Sequence, residues 1–586
     1  MIHKMLWVIL ILYFVLAGFY AHVTPLFEKP DENWHFATAM YIMETGRLPQ
    51  NKPDAPLHYA RQQANQPPLY YLTLSPVLRV LGYHHLTSGY LHLAEPNVQY
   101  RTSPSPFQSD NRRLFVPGRC EGDCARVESA VYIGRYLSIL YVGLSLIFTA
   151  YTLKAIFPQN DALILLTVAI MGFNPQVLHI GSSVTNDSLM ILLMSVGFYL
   201  AARWLNGTQN RRMVMLMGLV AGAAVLTKLS AAVLGLALGL LLLIYSTQRV
   251  RDIVLYGVSA IAVCGWWLVY NIINYGDPTA LDAHIDVAPQ ADVPQTFSAI
   301  LSQLPTVIRS FWAEFGWGQV ILPEQLYIPV VILILGSLFV GCVYIFVKWR
   351  VFSHQQRIFM LMMVGVSMVS VVLLLRWMMM TQAPHGRLLF AAVMPISLLM
   401  AAGLSMVIPR RGIGAACVGL FVFAMIIPWD VIRPAYLPPP PRTAFQLGTV
   451  NVQFYELGYG EVTLRDAALI EDTDWYYVQL TWEVEAEFQD DYLVFIHLLN
   501  ANGDIIAQRD SYPGLGNTSF SRMDAGEIFN DVYPLNPPVE PISALRMGVY
   551  RVSDIPDTWL RLDAESDVFN VQDDAVTIPI EMIRVE

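Results

Sequence analysis

Residues 5–22 read MLWVILILYFVLAGFYAH, and a polar stretch follows at once: Thr24-Pro25-Leu26-Phe27-Glu28-Lys29-Pro30-Asp31-Glu32-Asn33-Trp34-His35-Phe36. The first run is apolar and long enough to cross a bilayer. The second sets carboxylates at the point where that crossing ends. Charge at a membrane boundary is expensive to desolvate, so it marks a place to look for chemistry.

The whole chain extends this pattern. Of 586 residues, 55% are hydrophobic and 14% charged, with a mean hydropathy of +0.45. Neither a soluble globular protein nor a disordered one has that composition. Charge is unevenly divided. Residues 443–586 hold 26 acidic and 7 basic residues, whereas the remainder holds 20 acidic and 29 basic. An apolar, basic body therefore carries an acidic, polar tail. No nucleic-acid partner is expected.

Apolar runs predict about eleven crossings, near 5–22, 130–150, 162–181, 188–204, 213–227, 229–245, 253–273, 327–347, 358–375, 388–408 and 412–428. The 213–245 stretch reads as two helices broken near Lys228. With the N-terminus inside, every inner loop carries a cation: Lys4, Lys154, Arg211, Arg249, Lys348 and Arg410 among them. The expected localisation is the plasma (inner) membrane, multi-pass, with a cytoplasmic N-terminus and an extracytoplasmic tail.

The expected domains follow. Residues 1–430 form a polytopic helical membrane domain with two large outer loops, about 23–129 and 274–326. In the first loop, 67–83 reads as a helix lying on the membrane surface. Residues 431–442, including Pro438-Pro439-Pro440-Pro441, form a stiff linker. Residues 443–586 alternate as strands over Val450–Leu457, Glu461–Ala468, Trp475–Trp482, Tyr492–Leu499 and Arg546–Val552. Asn502-Gly503 supplies a hairpin turn, and the pattern predicts an all-β sandwich.

The chemistry-bearing residues cluster on one side of the membrane. Pro30 predicts a helix start and Gly46 its end, with Asp31 and Glu32 in the first turn and His35 one turn on. An anion at a helix N-terminus is stabilised, which suits a proton acceptor; N-capping is the plainer reading. Lys228, Arg376 and Arg387 lie at the outer ends of predicted helices, against the inside bias. They ask for an anionic partner such as a lipid phosphate, and headgroup snorkelling is the alternative. Gly386, beside Arg387, would leave room for a ligand. Asn186-Asp187 is either a second acidic site or a helix N-cap. Cys120 and Cys124 read as a local disulfide in preference to a metal site, since no third and fourth ligand is apparent. No repeat, P-loop or nucleophile elbow occurs.

Together these pieces resemble the GT-C superfamily of polytopic glycosyltransferases, which includes protein O-mannosyltransferases and lipid A aminoarabinose transferases. The resemblance spans roughly 5–430. It rests on Pro30-Asp31-Glu32 with His35-Phe36, on Gln66-Pro67-Pro68-Leu69-Tyr70-Tyr71, on Asn186-Asp187, on the Ser310–Trp317 loop and on His385-Gly386-Arg387-Leu388-Leu389-Phe390. It implies transfer of a sugar from a polyprenyl-phosphate carrier to an acceptor hydroxyl on the outer face, with inversion. It implies a catalytic acid at Asp31, with Glu32 as the close alternative. Lys228, Arg376 and Arg387 would then hold the donor phosphate, with His35, Asp187 and His385 in support. Membrane lipid is the medium and the carrier is a substrate; the acceptor is a glycan, lipid or protein. A divalent metal is not indicated. The rival classes are a transporter or lipid-linked glycan flippase, and a membrane-anchored glycan-binding protein. A transporter would need polar residues deep in its helices, and most of these stretches lack them.

Overall fold

The structure is a computed structural model describing residues 2–52, 55–101, 105–120, 123–287, 295–381, 383–438, 450–552 and 559–585. Of the expected linker, residues 439–442 lie outside the described residues. The chain divides into two compact units. One joins Met1–Leu86 to Glu128–Val431, and the other joins Thr87–Val127 to Ile432–Glu586.

The first unit is helical, with a helix over each of the eleven expected stretches. Among the described residues, eight helices are long and apolar enough to cross a membrane: His3–Val23, Asp123–Ile156, Asn186–Leu205, Arg249–Tyr275, Glu324–Lys348, His354–Met380, Gly386–Val407 and Arg410–Tyr436. A ninth is broken: Asp161–Gly172 and Pro175–Gly181 meet at 55°. The break falls where Asn174 caps the second piece, its side chain accepting from the Gln176 and Val177 amides. The expected count of about eleven also includes Arg211–Val225 and Leu229–Tyr245. These run 15 residues and fewer than 18, short of the roughly 30 Å a full crossing needs at about 1.5 Å per residue. The stretch read as a surface helix is helical over Leu69–Val80.

The second unit is a β-sandwich. One sheet orders Asn570–Gln572, Ala575–Pro579, Ala544–Val552, Leu493–Leu499 and Ile505–Ser511; Trp559–Arg561 pairs with Ala544–Val552. The other orders Asp563–Glu565, Val452–Glu456, Gly460–Glu471, Tyr476–Ala486 and Ile528–Leu535, and Arg584–Val585 lies parallel to Gly460–Glu471. Their inner faces share one apolar core that includes Phe454, Trp482, Ile496 and Met547. Gly503 turns the expected hairpin with φ +84°. Residues 87–127 fold with this sandwich: Asp110 forms a buried ion pair with Arg509, and the Asn111 amide donates to Leu515 O at 2.6 Å. Here too lies the Cys120–Cys124 disulfide, with His92 Nε2 on the Arg119 carbonyl.

In the helical unit, the segment after the first helix is fixed by one buried ion pair. Arg135 and Glu32 both have fully buried side chains. The guanidinium donates from Nε to Glu32 Oε1 at 2.8 Å and from Nη2 to Oε2 at 2.5 Å. Its remaining hydrogens reach the carbonyls of Ala21, Thr24 and Pro25. The Ala21 carbonyl is among those a helix C-terminus leaves unpaired, and Thr24 and Pro25 lie just past that end. Glu32 also accepts from the Phe27 amide at 3.1 Å and the Val184 amide at 3.0 Å. Lys29, fully buried, donates to Ser182 O at 2.6 Å and to its Oγ at 2.7 Å. Residues 21–32 are thereby tied to the Asp123–Ile156 helix and to the 182–184 turn.

Removing one partner of such a pair strands the other charge in a dry site. Arg135→Ala should lower unfolding stability by about 3–5 kcal/mol, read as a drop in Tm in detergent, and Glu32→Gln in that background should recover part of it. Burial pushes the Glu32 carboxyl up, but Arg135, Lys29 and the Val184 amide outweigh it, and it sits below the usual carboxylate range. Its contribution is therefore complete above that range and is lost as pH falls through the lowered value. The wild type should lose more stability on acidification than the double variant.

Candidate active site

Beside this anchor the helical unit holds a partly open cavity of about 540 Å³. Its wall includes Asp31, Trp34, His35, Lys228, Arg376, His385 and Arg387. Seven side chains from distant parts of the sequence thus face one space. Of the two adjacent acids, only Asp31 lines it. Glu32 points away into the Arg135 anchor, with both oxygens already accepting hydrogen bonds.

Asp31 sits at the N-cap of the Glu32–Thr45 helix, yet its side chain makes no capping hydrogen bond. Its backbone is left-handed, with φ +63°, a conformation that aspartate tolerates better than most residues but that still costs energy. The carboxylate is spent on Arg387, whose Nη2 meets Asp31 Oδ2 and whose Nη1 reaches Pro30 O at 3.4 Å. Neither side chain of the pair is more than 18% exposed. Burial pushes the Asp31 carboxyl up, but Arg387, His35 and His385 outweigh it and hold it below the usual range. Asp31 is therefore an anion at neutral pH. The helix ends as its sequence predicts, with Gly46 at φ +70° donating to Ile42 O.

His35 shares a hydrogen bond between Nδ1 and the Tyr71 hydroxyl at 2.8 Å. Burial outweighs the pull of Asp31 and Asp187 and lowers its pKa to about 4. It is a neutral hydrogen-bonding group at pH 7.

Each expected cation has a defined place. Lys228 precedes the Leu229–Ala231 turn and donates to Asp187 Oδ1 at 2.6 Å. Asp187 Oδ2 is buried with no hydrogen-bond partner among the described residues. The cap of the Asn186–Leu205 helix is Thr185, not Asn186 or Asp187, because the Thr185 hydroxyl accepts the Asp187 amide at 3.3 Å. That frees Asp187 for Lys228. Arg376 is exposed on the His354–Met380 helix and, among the described residues, shows no hydrogen bond or ion pair. Arg387 opens the Gly386–Val407 helix.

Gly386 serves a different purpose from the one its sequence suggests. A Cβ there would stand 2.2 Å from Val307 O and 2.3 Å from the Phe311 nitrogen. The glycine lets the backbone pack against the Phe297–Trp312 helix, and its own amide donates to Ser310 Oγ at 2.7 Å. It sets Arg387 in place; it does not open space for a ligand.

Sequence reasoning passed over Arg135 and assigned no role to Lys29 or Tyr71. Arg135 had a readable signal: it is a cation at the outer end of an apolar run, the same exception that singles out Lys228, Arg376 and Arg387. Trp317, in the expected Ser310–Trp317 loop, donates Nε1–H to Phe27 O at 3.0 Å and meets Trp34 edge-on, with centroids 5.1 Å apart. It closes one wall of the cavity.

A model of the dolichyl-phosphate-mannose-protein mannosyltransferase family matches residues 128–270. None of the curated proteins matches the chain. Among solved structures, ArnT from Cupriavidus metallidurans bound to undecaprenyl phosphate is similar at 15% identity and a TM-score of 0.42, over 72% of this chain and 63% of that one. The Archaeoglobus fulgidus oligosaccharyltransferase tethered with an acceptor peptide is similar at 10% identity and a TM-score of 0.37, over 73% and 54%. The chain spans less than two thirds of the length of either. The family match covers residues 128–270 alone, within a unit whose long apolar helices suit a polytopic membrane protein.

Proposed function

We propose that this protein transfers a sugar from a polyprenyl-phosphate carrier to an acceptor hydroxyl, with Asp31 as the base and Arg387, Lys228 and Arg376 facing the carrier's phosphate. One observation carries the reading. An anionic carboxylate that does not cap its helix shares a cavity with three cations. The family match over 128–270 supports the same chemistry.

The chemistry follows from the charges. The acceptor oxygen attacks the anomeric carbon as the bond from that carbon to the phosphate oxygen breaks. The hydroxyl proton passes to Asp31, and the carrier leaves as polyprenyl phosphate. A single direct displacement inverts the anomeric centre. Arginine grips phosphate through two parallel hydrogen bonds and lysine as a point charge. Arg387 is held by Asp31 in this structure, and a donor phosphate would compete for its fork. The base would then be released at the moment the leaving group is gripped. Glu32 and Arg135 act as positioning residues, since they fix the segment that carries Asp31.

The reading places this chemistry on the outer face of the plasma membrane. In that orientation the cation-bearing loops face inward, and the sandwich is extracytoplasmic.

Asp31→Asn keeps the shape and removes the base. Transfer of label from a polyprenyl-phosphate sugar should fall by about 10²–10⁴-fold, in turnover far more than in donor binding. Arg387→Ala should cost about 10²–10³-fold, while Arg387→Lys keeps the charge, loses the fork and should fall between. Full activity in a folded Asp31→Asn protein ends the assignment of the base.

Topology is checked separately. Val539 is fully exposed, so Val539→Cys, in a background lacking Cys264, Cys342 and Cys417, should react with a membrane-impermeant maleimide on intact cells. Labelling only after permeabilisation would reverse the orientation.

A further inference from the structure

One wall of the cavity is made of amides. The short turn Arg61–Asn65 and the residue after it contribute Gln62, Gln63, Asn65 and Gln66. Gln66 is engaged, its Oε1 accepting from Asn186 Nδ2 at 2.6 Å. Asn65 and Gln63 differ. Asn65 is 4% exposed and Gln63 is 2% exposed; among the described residues, neither Oδ1 nor Nδ2 of Asn65, nor Oε1 of Gln63, has a hydrogen-bond partner. Buried polar atoms without partners are costly and rare. Here two such side chains sit together on the wall of a cavity that also holds Asp31 and Arg387.

The chemistry of that wall specifies its ligand. An amide both donates and accepts, as a sugar hydroxyl does. Trp34, Trp317 and Trp377 line the same cavity and give it apolar aromatic surface suited to the C–H groups of a pyranose. Charge narrows the class further. Among the described lining residues Asp31 is the one carboxylate, and it is paired with Arg387. Once the donor phosphate has drawn Arg387 away, the only described lining carboxylate is the base itself, so a cationic amino sugar could be neutralised only by occupying the group that must take the acceptor's proton.

We infer that Asn65 and Gln63 read the sugar of the lipid-linked donor and select a neutral, hydroxyl-rich sugar over a cationic amino sugar. The inference rests on the donor reading proposed above, and its test separates the two. The full-length protein in nanodiscs is titrated, by intrinsic tryptophan fluorescence, with polyprenyl phosphate alone, with its neutral hexose conjugate and with an amino-sugar conjugate. The hexose should add about tenfold or more in affinity over the bare lipid phosphate, and the amino sugar should not. Asn65→Ala should abolish that gain while leaving affinity for the bare lipid phosphate unchanged, which also certifies the fold. Gln63→Ala carries the same comparison if Asn65→Ala does not fold. Binding of the bare lipid phosphate with no gain from the hexose, tighter binding of the amino sugar, or an undiminished gain in both variants overturns the inference alone. Failure of the wild type to bind polyprenyl phosphate in any form overturns the donor reading and this inference with it.

Discussion

The helical unit depends on the salt bridge between Arg135 and Glu32. It is a fully buried pair whose guanidinium also takes up the carbonyls of Ala21, Thr24 and Pro25. Two charges in a dry interior are tolerable only when every remaining hydrogen and lone pair is satisfied. That requirement is met by drawing together the end of the first helix, the start of the next and the Val184 turn. The next residue back, Asp31, is consequently held in a left-handed conformation with its carboxylate directed elsewhere. The two neighbouring acids thus divide the work: one fixes the backbone and the other faces the cavity.

The cavity repeats that logic at lower cost. Asp31 with Arg387, and Asp187 with Lys228, are opposite charges brought together from far apart in the chain. The first pair keeps both members at the cavity wall, and the second keeps Lys228 there. Such pairs hold cations in a weakly hydrated place without leaving them uncompensated, and an incoming anion can then exchange for the internal carboxylate. Arg376 has no such partner among the described residues and projects from its helix as an exposed charge.

Much of this was legible in the sequence because membrane segments announce themselves. A helix formed over every apolar run, and the strands Tyr476–Ala486, Leu493–Leu499 and Ala544–Val552 lie where alternation puts them. The helix from Glu32 to Gly46 was readable from Pro30 and Gly46. What escaped was pairing across long separations. Asp31 and Glu32 are chemically alike and adjacent, so only the position of Arg135 distinguishes them. The role of Gly386 was misread because close backbone approach and ligand access call for the same residue type. The strands Ile505–Ser511 and Ile528–Leu535 were missed because polar and charged residues interrupt them, Arg509 and Asp531 being buried by partners instead of by apolarity. Likewise no local pattern in 87–127 reveals that it folds with a sandwich whose strands begin at Val452.

That last arrangement has a consequence for how the protein is made. Asp110 and Asn111 leave the ribosome early, before all but the first of the long apolar helices. Arg509 and Leu515, which receive them, come some four hundred residues later. Until then a buried carboxylate and a backbone edge wait without partners. Arg509 of the sandwich finds its buried carboxylate in that early segment, and a version cut off at the end of the helical region would lack the docking surface for it. Completion of this unit is thus a late event in biogenesis, and it signals that the intervening chain has been delivered.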